Sequence, residues 1–342
     1  MTKRTFELLP RDVDLKVPLL IYPGEEAAPA GSAQAGDAQT IDHLFEIEHI
    51  DAINAALACN RPLLLTGEPG VGKTQLARAA AVALGRAFVR FTVDSRTESR
   101  DLLWEFDTVA RLARAQLMSA QGTEGTKLFE EMAVEKFIRP GPLWWAFHWA
   151  GAKSINGARP PYQSDGGNPD HGVVVLIDEI DKAEIDVPNG LLEALGEGSF
   201  QPDGDLPKVQ MQGVAPLVLI TSNRERELPD AFVRRCLELH MALPEDPVAL
   251  KSHLVSRGAA HRPELDGDEG LSLAADMLIR DRRAAQQANR HPLPGQAEYL
   301  DLLVAAHELA ARQGESIAEI LERIRPYMLL KKRQAEKGRN RP

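Results

Sequence analysis

Cysteine is scarce: the 342 residues include two, Cys59 and Cys236. Two thiols make no disulfide framework in a chain this long, so a reducing, cytoplasmic setting is expected. Both stand among apolar residues and are expected in or near the core. The nine histidines form no H-E-x-x-H pattern and no cluster with cysteine, so no zinc site is expected. No apolar run approaches the length of a membrane-spanning helix, and Lys3-Arg4 is followed by no sustained apolar region, so neither a span nor a signal peptide is expected. No repeat of fixed period is visible. Basic residues are outnumbered, 40 against 50, for a net charge of -10. That balance argues against attachment to nucleic acid by bulk charge, although a local basic channel stays open. A basic run does occur, from Lys331-Lys332-Arg333 to Arg339-Asn340-Arg341, and reads as a solvated tail.

What is present is an ordinary globular balance, 44% hydrophobic and 26% charged, in a length that suits two domains. Its most informative stretch is Leu63-Leu64-Leu65-Thr66 followed by Gly67, Glu68, Pro69, Gly70, Val71, Gly72, Lys73 and Thr74. An apolar strand runs into a Gly-rich loop that opens a helix, Thr74 to Leu84. The spacing is G-x-x-x-x-G-K-[ST], the P-loop. Its glycines permit φ values that a Cβ forbids, so backbone N–H groups turn inward around phosphate oxygens. The helix N-terminus adds unsatisfied donors. Lys73 is expected on the β- and γ-phosphates, and the Thr74 hydroxyl on Mg²⁺.

Strands and helices alternate around this loop. Asp51–Ala58 reads as a helix, with Ile50, Ile53, Asn54 and Leu57 at helical spacing. Strands are expected at Ala87–Val93, Val173–Ile177, Leu217–Ile220 and Leu237–Met241, with helices at Asp101–Met118, Val187–Leu195 and Pro229–Cys236. In the Asp101–Met118 helix the apolar positions include Leu102, Leu103, Phe106, Val109, Leu112 and Leu117. Gln121–Gly125 reads as a surface loop, Gly151–Gly172 as a long loop, and Gly196–Pro207 as a further loop. Trp144, Trp145 and Trp149 crowd one stretch, either packed on the sheet or facing a partner. Val173–Ile177 is apolar without alternation, the mark of a strand buried on both faces of a parallel sheet. After Pro244 the strands stop, and Pro247–Arg257, Leu271–Ala288, Gln296–Arg312 and Ile317–Leu330 read as helices. The expected organisation is an arm and flexible linker over 1–40, an α/β domain with a parallel sheet over 41–243, an all-α domain over 244–330 and the tail 331–342.

In open α/β sheets ligands bind beyond the carboxyl ends of the strands. There the third strand ends in Asp178 and Glu179, and the fourth in Asn223. An acidic pair after an apolar run is what nucleoside-triphosphate hydrolysis needs. Asp178 would hold the Mg²⁺ shell, Glu179 would deprotonate the attacking water, and Asn223 would hold that water. Arg234 and Arg235, ahead of the fifth strand, could meet a neighbouring subunit's γ-phosphate.

The succession Gly67–Thr74, Val173–Asp181, Thr221–Asn223 and Leu228–Arg235, followed by helices, resembles an AAA+ ATPase. Within it, Arg61–Gly70, Arg100–Asp107, Phe137–Leu143 and Leu191–Leu195 with Gly198–Val209 resemble the MoxR family. The resemblance covers about Ile41 to Leu330. It implies an AAA+ P-loop NTPase core with a central parallel five-stranded sheet, an insertion in the second helix, a hairpin before the fourth strand and a small all-α lid. It also implies ATP with Mg²⁺ between subunits of a ring, most often a hexamer. Gly67–Thr74, Asp178, Glu179 and Asn223 would act in cis, and Arg234 or Arg235 in trans. Members resemble chaperones that remodel a protein client, often one with a von Willebrand factor A domain. Many AAA+ proteins carry a sensor arginine at the start of the third lid helix in a Pro-Arg setting; this sequence departs from that, reading Arg290–Glu298 there, with Arg290 as the residue that could substitute. Gly151–Gly172 is longer than the family's usual loop. Two other functions stay open: a nucleotide-gated assembly switch with slow hydrolysis, and a nucleic-acid or GTP-using motor.

Overall fold

A computed structural model describes residues 8–11, 15–21, 39–122, 126–163, 166–265 and 269–329. Most of the expected arm and linker, residues 123–125 of the expected surface loop and the whole basic tail lie outside the described residues. In chain order the elements begin with β1 (Lys16–Ile21), β2 (Gln39–Leu44), α1 (Ile47–Cys59), β3 (Leu63–Gly67), α2 (Lys73–Ala83) and β4 (Arg86–Thr92). Then come β5 (Trp104–Phe106), α3 (Thr108–Ala120), α4 (Thr126–Glu131), β6 (Ile138–Pro140), α5 (Pro142–Phe147), α6 (Trp149–Ser154) and β7 (Asn168–Asp178). They are followed by α7 (Asp186–Glu197), β8 (Ser199–Phe200), β9 (Val209–Gln210), β10 (Leu217–Ser222), α8 (Asp230–Val233) and β11 (Leu237–Met241). Four helices close the chain: α9 (Pro247–His261), α10 (Glu269–Gln287), α11 (Gln296–Gln313) and α12 (Ile317–Met328). Among the described residues no helix is long and apolar enough to cross a membrane.

The chain divides into two compact units. The first, which includes Phe45–Gly67 and Lys73–His240, is built on a five-stranded sheet in the order β11-β3-β10-β7-β4. The pairs β3–β10, β10–β7 and β7–β4 run parallel. Leu63–Leu65, Val173–Ile177 and Leu217–Ile220 are buried without alternation, because helices cover both faces of a parallel sheet. On α2, Leu76, Ala77 and Ala79–Ala81 are buried, and the helix packs against β4 and β7. The register brings Thr66, Asp178 and Ser222 to one edge of the sheet.

Three expectations need correction here. The single helix over Asp101–Met118 is instead a short 3-10 turn, the strand β5 and then α3. Trp104 pairs with Pro140 in an antiparallel β5–β6 ribbon, and its ring stacks on Phe200 at 5.7 Å. Asp107 then starts α3 by accepting from the Ala110 N–H at 2.8 Å. Leu102 and Trp104 are buried in this arrangement, whereas Val109, Leu112 and Leu117 on α3 are exposed. The Gly151–Gly172 loop is shorter than expected: α6 reaches Ser154, and β7 starts at Asn168, where it pairs with Arg86 of β4. Within the remaining loop, the Gln163 side chain accepts from Phe88 N at 2.7 Å and donates to Phe88 O at 3.0 Å, satisfying the edge of β4. Cys59 is exposed rather than core, because it ends α1 off the buried stripe of Ile50, Ile53 and Ala56; Cys236 is buried. The expected Gly196–Pro207 loop starts inside α7, carries β8 and continues as the connection to β9 of a small β8–β9 hairpin. Trp144 and Trp145 are buried in α5, which packs on β4 and β7.

The second unit gathers Ile41–Leu44, Glu68–Gly72 and the described residues from Met241 to Leu329. Its core is apolar side chains of α9 to α12, among them Leu254, Leu278, Leu302 and Leu321, each fully buried. The buried Tyr299 hydroxyl donates to Leu271 O at 3.1 Å. Asp281 on α10 receives the Arg325 guanidinium of α12 at 2.7 Å.

Candidate functional site

β3 ends at Gly67, and α2 begins at Lys73, so the glycine loop is held between a fully buried strand and a half-buried helix. Gly70 and Gly72 have φ of 80° and 97°, where a side chain is strained. A Cβ on Gly70 would lie 2.8 Å from the Ala297 Cβ, so the loop tip is also packed too closely for one. Lys73 is buried, and its ammonium donates to Gly67 O at 2.9 Å, folding across the loop it closes.

At the head of α2, within the sheet unit, lies a network around Asp178, which is 5% exposed. Thr74 Oγ1 is 3.2 Å from Asp178 Oδ2. Thr221 Oγ1 donates to Asp178 Oδ1 at 2.5 Å and accepts from Glu179 N–H at 2.8 Å. Arg90 of β4 donates to Asp178 Oδ2 at 2.8 Å. Glu179 has φ 62° and ψ 44°, a left-handed conformation costing a non-glycine residue about 1 kcal/mol or more. The turn aims its carboxylate at Lys182, 2.6 Å away, and this pairing raises the Lys182 pKa. A hydroxyl next to a hard carboxylate suits Mg²⁺, which keeps most of its own waters and needs few protein ligands.

Asn223 follows β10 and is half-buried. Asp181, 2% exposed, holds that turn by accepting from Asn223 N at 3.4 Å and Glu225 N at 2.9 Å. Arg234 and Arg235 are both exposed. Their backbone is pinned from the base of β3: Arg61 donates to the carbonyls of Arg234, Arg235 and Cys236 at 2.5, 3.0 and 2.9 Å. Burial pushes the Cys236 thiol up to about 12, so it takes no part as a thiolate.

Within the helical unit, Arg282 of α10 grips both oxygens of Glu68 at 2.8 and 2.9 Å and donates to Pro294 O at 3.0 Å. Arg290, the arginine proposed from sequence for the lid, is exposed. The structure thus brings Thr74, Asp178 and Glu179 together and adds Arg90, Thr221, Lys182 and Asp181, which sequence reading missed. Thr221 carried a readable signal, a hydroxyl ending an otherwise apolar strand. Arg90 and Arg282 carried none, being single cations in otherwise ordinary elements.

A model of the AAA domain, dynein-related subfamily, matches residues 62–236, from the start of β3 to the turn before β11. The chain belongs to the AAA domain family. The matched span includes the glycine loop, the acidic pair, Asn223 and both arginines. The fold is the AAA+ P-loop NTPase fold, a parallel five-stranded sheet followed by helices. YeaC of Bacillus subtilis is 27% identical over 199 residues, 56% of this chain and 45% of that protein. The chaperone protein ClpB of Rhizobium meliloti is 29% identical over 167 residues, 48% of this chain and 14% of that one. The chain therefore spans less than half the length of these two relatives. A solved RuvB mutant of Thermotoga maritima is 16% identical with a TM-score of 0.43, covering 81% of this chain and 66% of that one.

Proposed function

We propose that this AAA-family chain is a Mg²⁺-dependent ATPase of MoxR type. Copies of it form a ring, hexameric by expectation, that remodels or activates a protein client. The carrying observation is the approach of the Thr74 hydroxyl to the Asp178 carboxylate at the head of α2, with Thr221 joining that carboxylate to the Glu179 N–H. In this reading the N–H groups of Glu68–Gly72, with Lys73, bind the triphosphate. Thr74 and Asp178 hold Mg²⁺, which neutralises phosphate charge. Glu179 accepts the proton of the attacking water, held by Asn223, as the bond between the β–γ bridging oxygen and the γ-phosphorus breaks. Arg234 or Arg235 of a neighbouring copy meets the γ-phosphate, which agrees with the exposure of both. The division proposed is an α/β nucleotide-binding domain over 41–243 and an all-α lid over 244–330, working in the cytoplasm. The client proposed is a protein with a von Willebrand factor A domain.

The test is turnover of Mg-ATP by the wild type and by Glu179→Gln. The variant should bind ATP yet hydrolyse it about a hundredfold more slowly or less; near-normal turnover removes Glu179 as the base. Stimulation by a protein client supports the remodelling reading. Salt-dependent stimulation by DNA or RNA replaces it with a nucleic-acid motor. Assembly on ATP with negligible turnover, client present, replaces it with a switch.

A further inference from the structure

We infer that Arg90 is a positioning residue that sets how strongly nucleotide binding depends on a divalent cation. The inference rests on the reading of Asp178 as the magnesium-shell carboxylate. Arg90 interrupts the apolar run of β4, which pairs in parallel with β7. In that register Arg90 is opposite Leu176 and Thr92 is opposite Asp178, so Arg90 lies one diagonal step from Asp178 on the neighbouring strand. Its guanidinium donates to Asp178 Oδ2 at 2.8 Å. Thr74 Oγ1 addresses the same oxygen at 3.2 Å, and Thr221 holds the other at 2.5 Å.

The side chain of Asp178 is 7% exposed and that of Arg90 33%, so the carboxylate is desolvated while its cation keeps access to solvent. A desolvated carboxylate against Thr74, the last residue of the phosphate-binding motif, repels a bound triphosphate, more strongly than in water because the local dielectric is low. Arg90 neutralises the carboxylate and lowers that repulsion when no metal is present. It also occupies the oxygen that Thr74 addresses, so a divalent cation shares Asp178 with a guanidinium. Both effects act in one direction. Arg90 raises metal-free affinity and weakens the gain that the metal adds.

The experiment measures Kd for methylanthraniloyl-ADP by fluorescence, in excess MgCl₂ and in excess EDTA, for wild type, Arg90→Gln and Arg90→Lys. The ratio of the EDTA value to the magnesium value should widen about tenfold in Arg90→Gln. Arg90→Lys, which keeps the charge but loses the planar fork, should fall between. An equal fold-change under both conditions, or a narrower ratio, overturns the proposal, because a purely structural arginine changes the two constants together. If Arg90→Gln does not fold, Arg90→Lys carries the test: a widened ratio supports the proposal and an unchanged one overturns it. If the wild type binds equally well in magnesium and EDTA, the metal reading of Asp178 itself fails; if only the variants show no change in ratio, that reading stands and the role of Arg90 falls.

Discussion

The Lys182 ammonium lies 2.6 Å from Oε2 of Glu179, three residues back, on the far side of a left-handed turn. The carboxylate proposed as the base is thus hydrogen-bonded to a cation of its own chain, and a tethered carboxylate must leave that cation before it can turn to a water. Lys182→Met should raise basal ATP turnover by about threefold to tenfold and leave nucleotide affinity nearly unchanged. A steady-state ATPase assay decides; unchanged or slower turnover would remove the tether.

Arg61 ties the base of the loop strand to the turn bearing Arg234 and Arg235 through three carbonyls. If those arginines act on a neighbour, freeing the turn misplaces them without touching the subunit's own loop. Arg61→Ala should slow turnover on the order of a hundredfold, with nucleotide affinity little changed. Mixing it with Glu179→Gln subunits, each defective in a different half of the shared site, should restore part of the activity. No recovery in co-assembled rings would argue that the arginines do not work in trans.

Local patterns made much of the fold legible. Leu63–Gly67, Val173–Asp178 and Leu217–Ser222 announce themselves as buried strands because each is apolar without alternation and ends in a polar group. What stayed hidden depends on partners distant in sequence. Trp104 is in a strand because Pro140 lies opposite, and nothing within Asp101–Met118 reports that pairing. Gln163 shortens its loop by substituting for a strand on Phe88, 75 residues away. The polar strand ends could be read as a candidate site, but Arg90 and Lys182 could not be read as their partners. Periodicity misleads in α3, whose apolar Val109, Leu112 and Leu117 face outward. Glu68 on the glycine loop shows the same limit: its guanidinium partner is Arg282, 214 positions away, and no local pattern reports that pairing.

The Arg282–Glu68 pair has an 89% buried guanidinium side, since the Arg282 side chain is 11% exposed, but Glu68 is 42% exposed and therefore partly screened. A double-mutant cycle with Arg282→Lys and Glu68→Gln, followed by urea unfolding, should give a coupling of about 1 kcal/mol. The bidentate fork is why lysine is expected not to substitute fully. Additive single effects would mean that the two side chains are neighbours without being partners.

His261, the last residue of α9, has its pKa lowered from 6.5 to about 4, chiefly by burial and further by Arg257 and Arg262. Above pH 6.5 the imidazole is neutral in the folded and unfolded chain alike, and it costs nothing. As pH falls from 6.5 towards 4 the unfolded chain takes up a proton that the folded chain refuses, so stability is lost across that window and no further below it. The loss from this group is at most about 3 kcal/mol. His261→Gln removes the titration, so the variant should gain on the wild type progressively as pH drops through the window. Urea unfolding at several pH values would read this directly. A stability difference that stays constant with pH would show that His261 is protonated equally in both states.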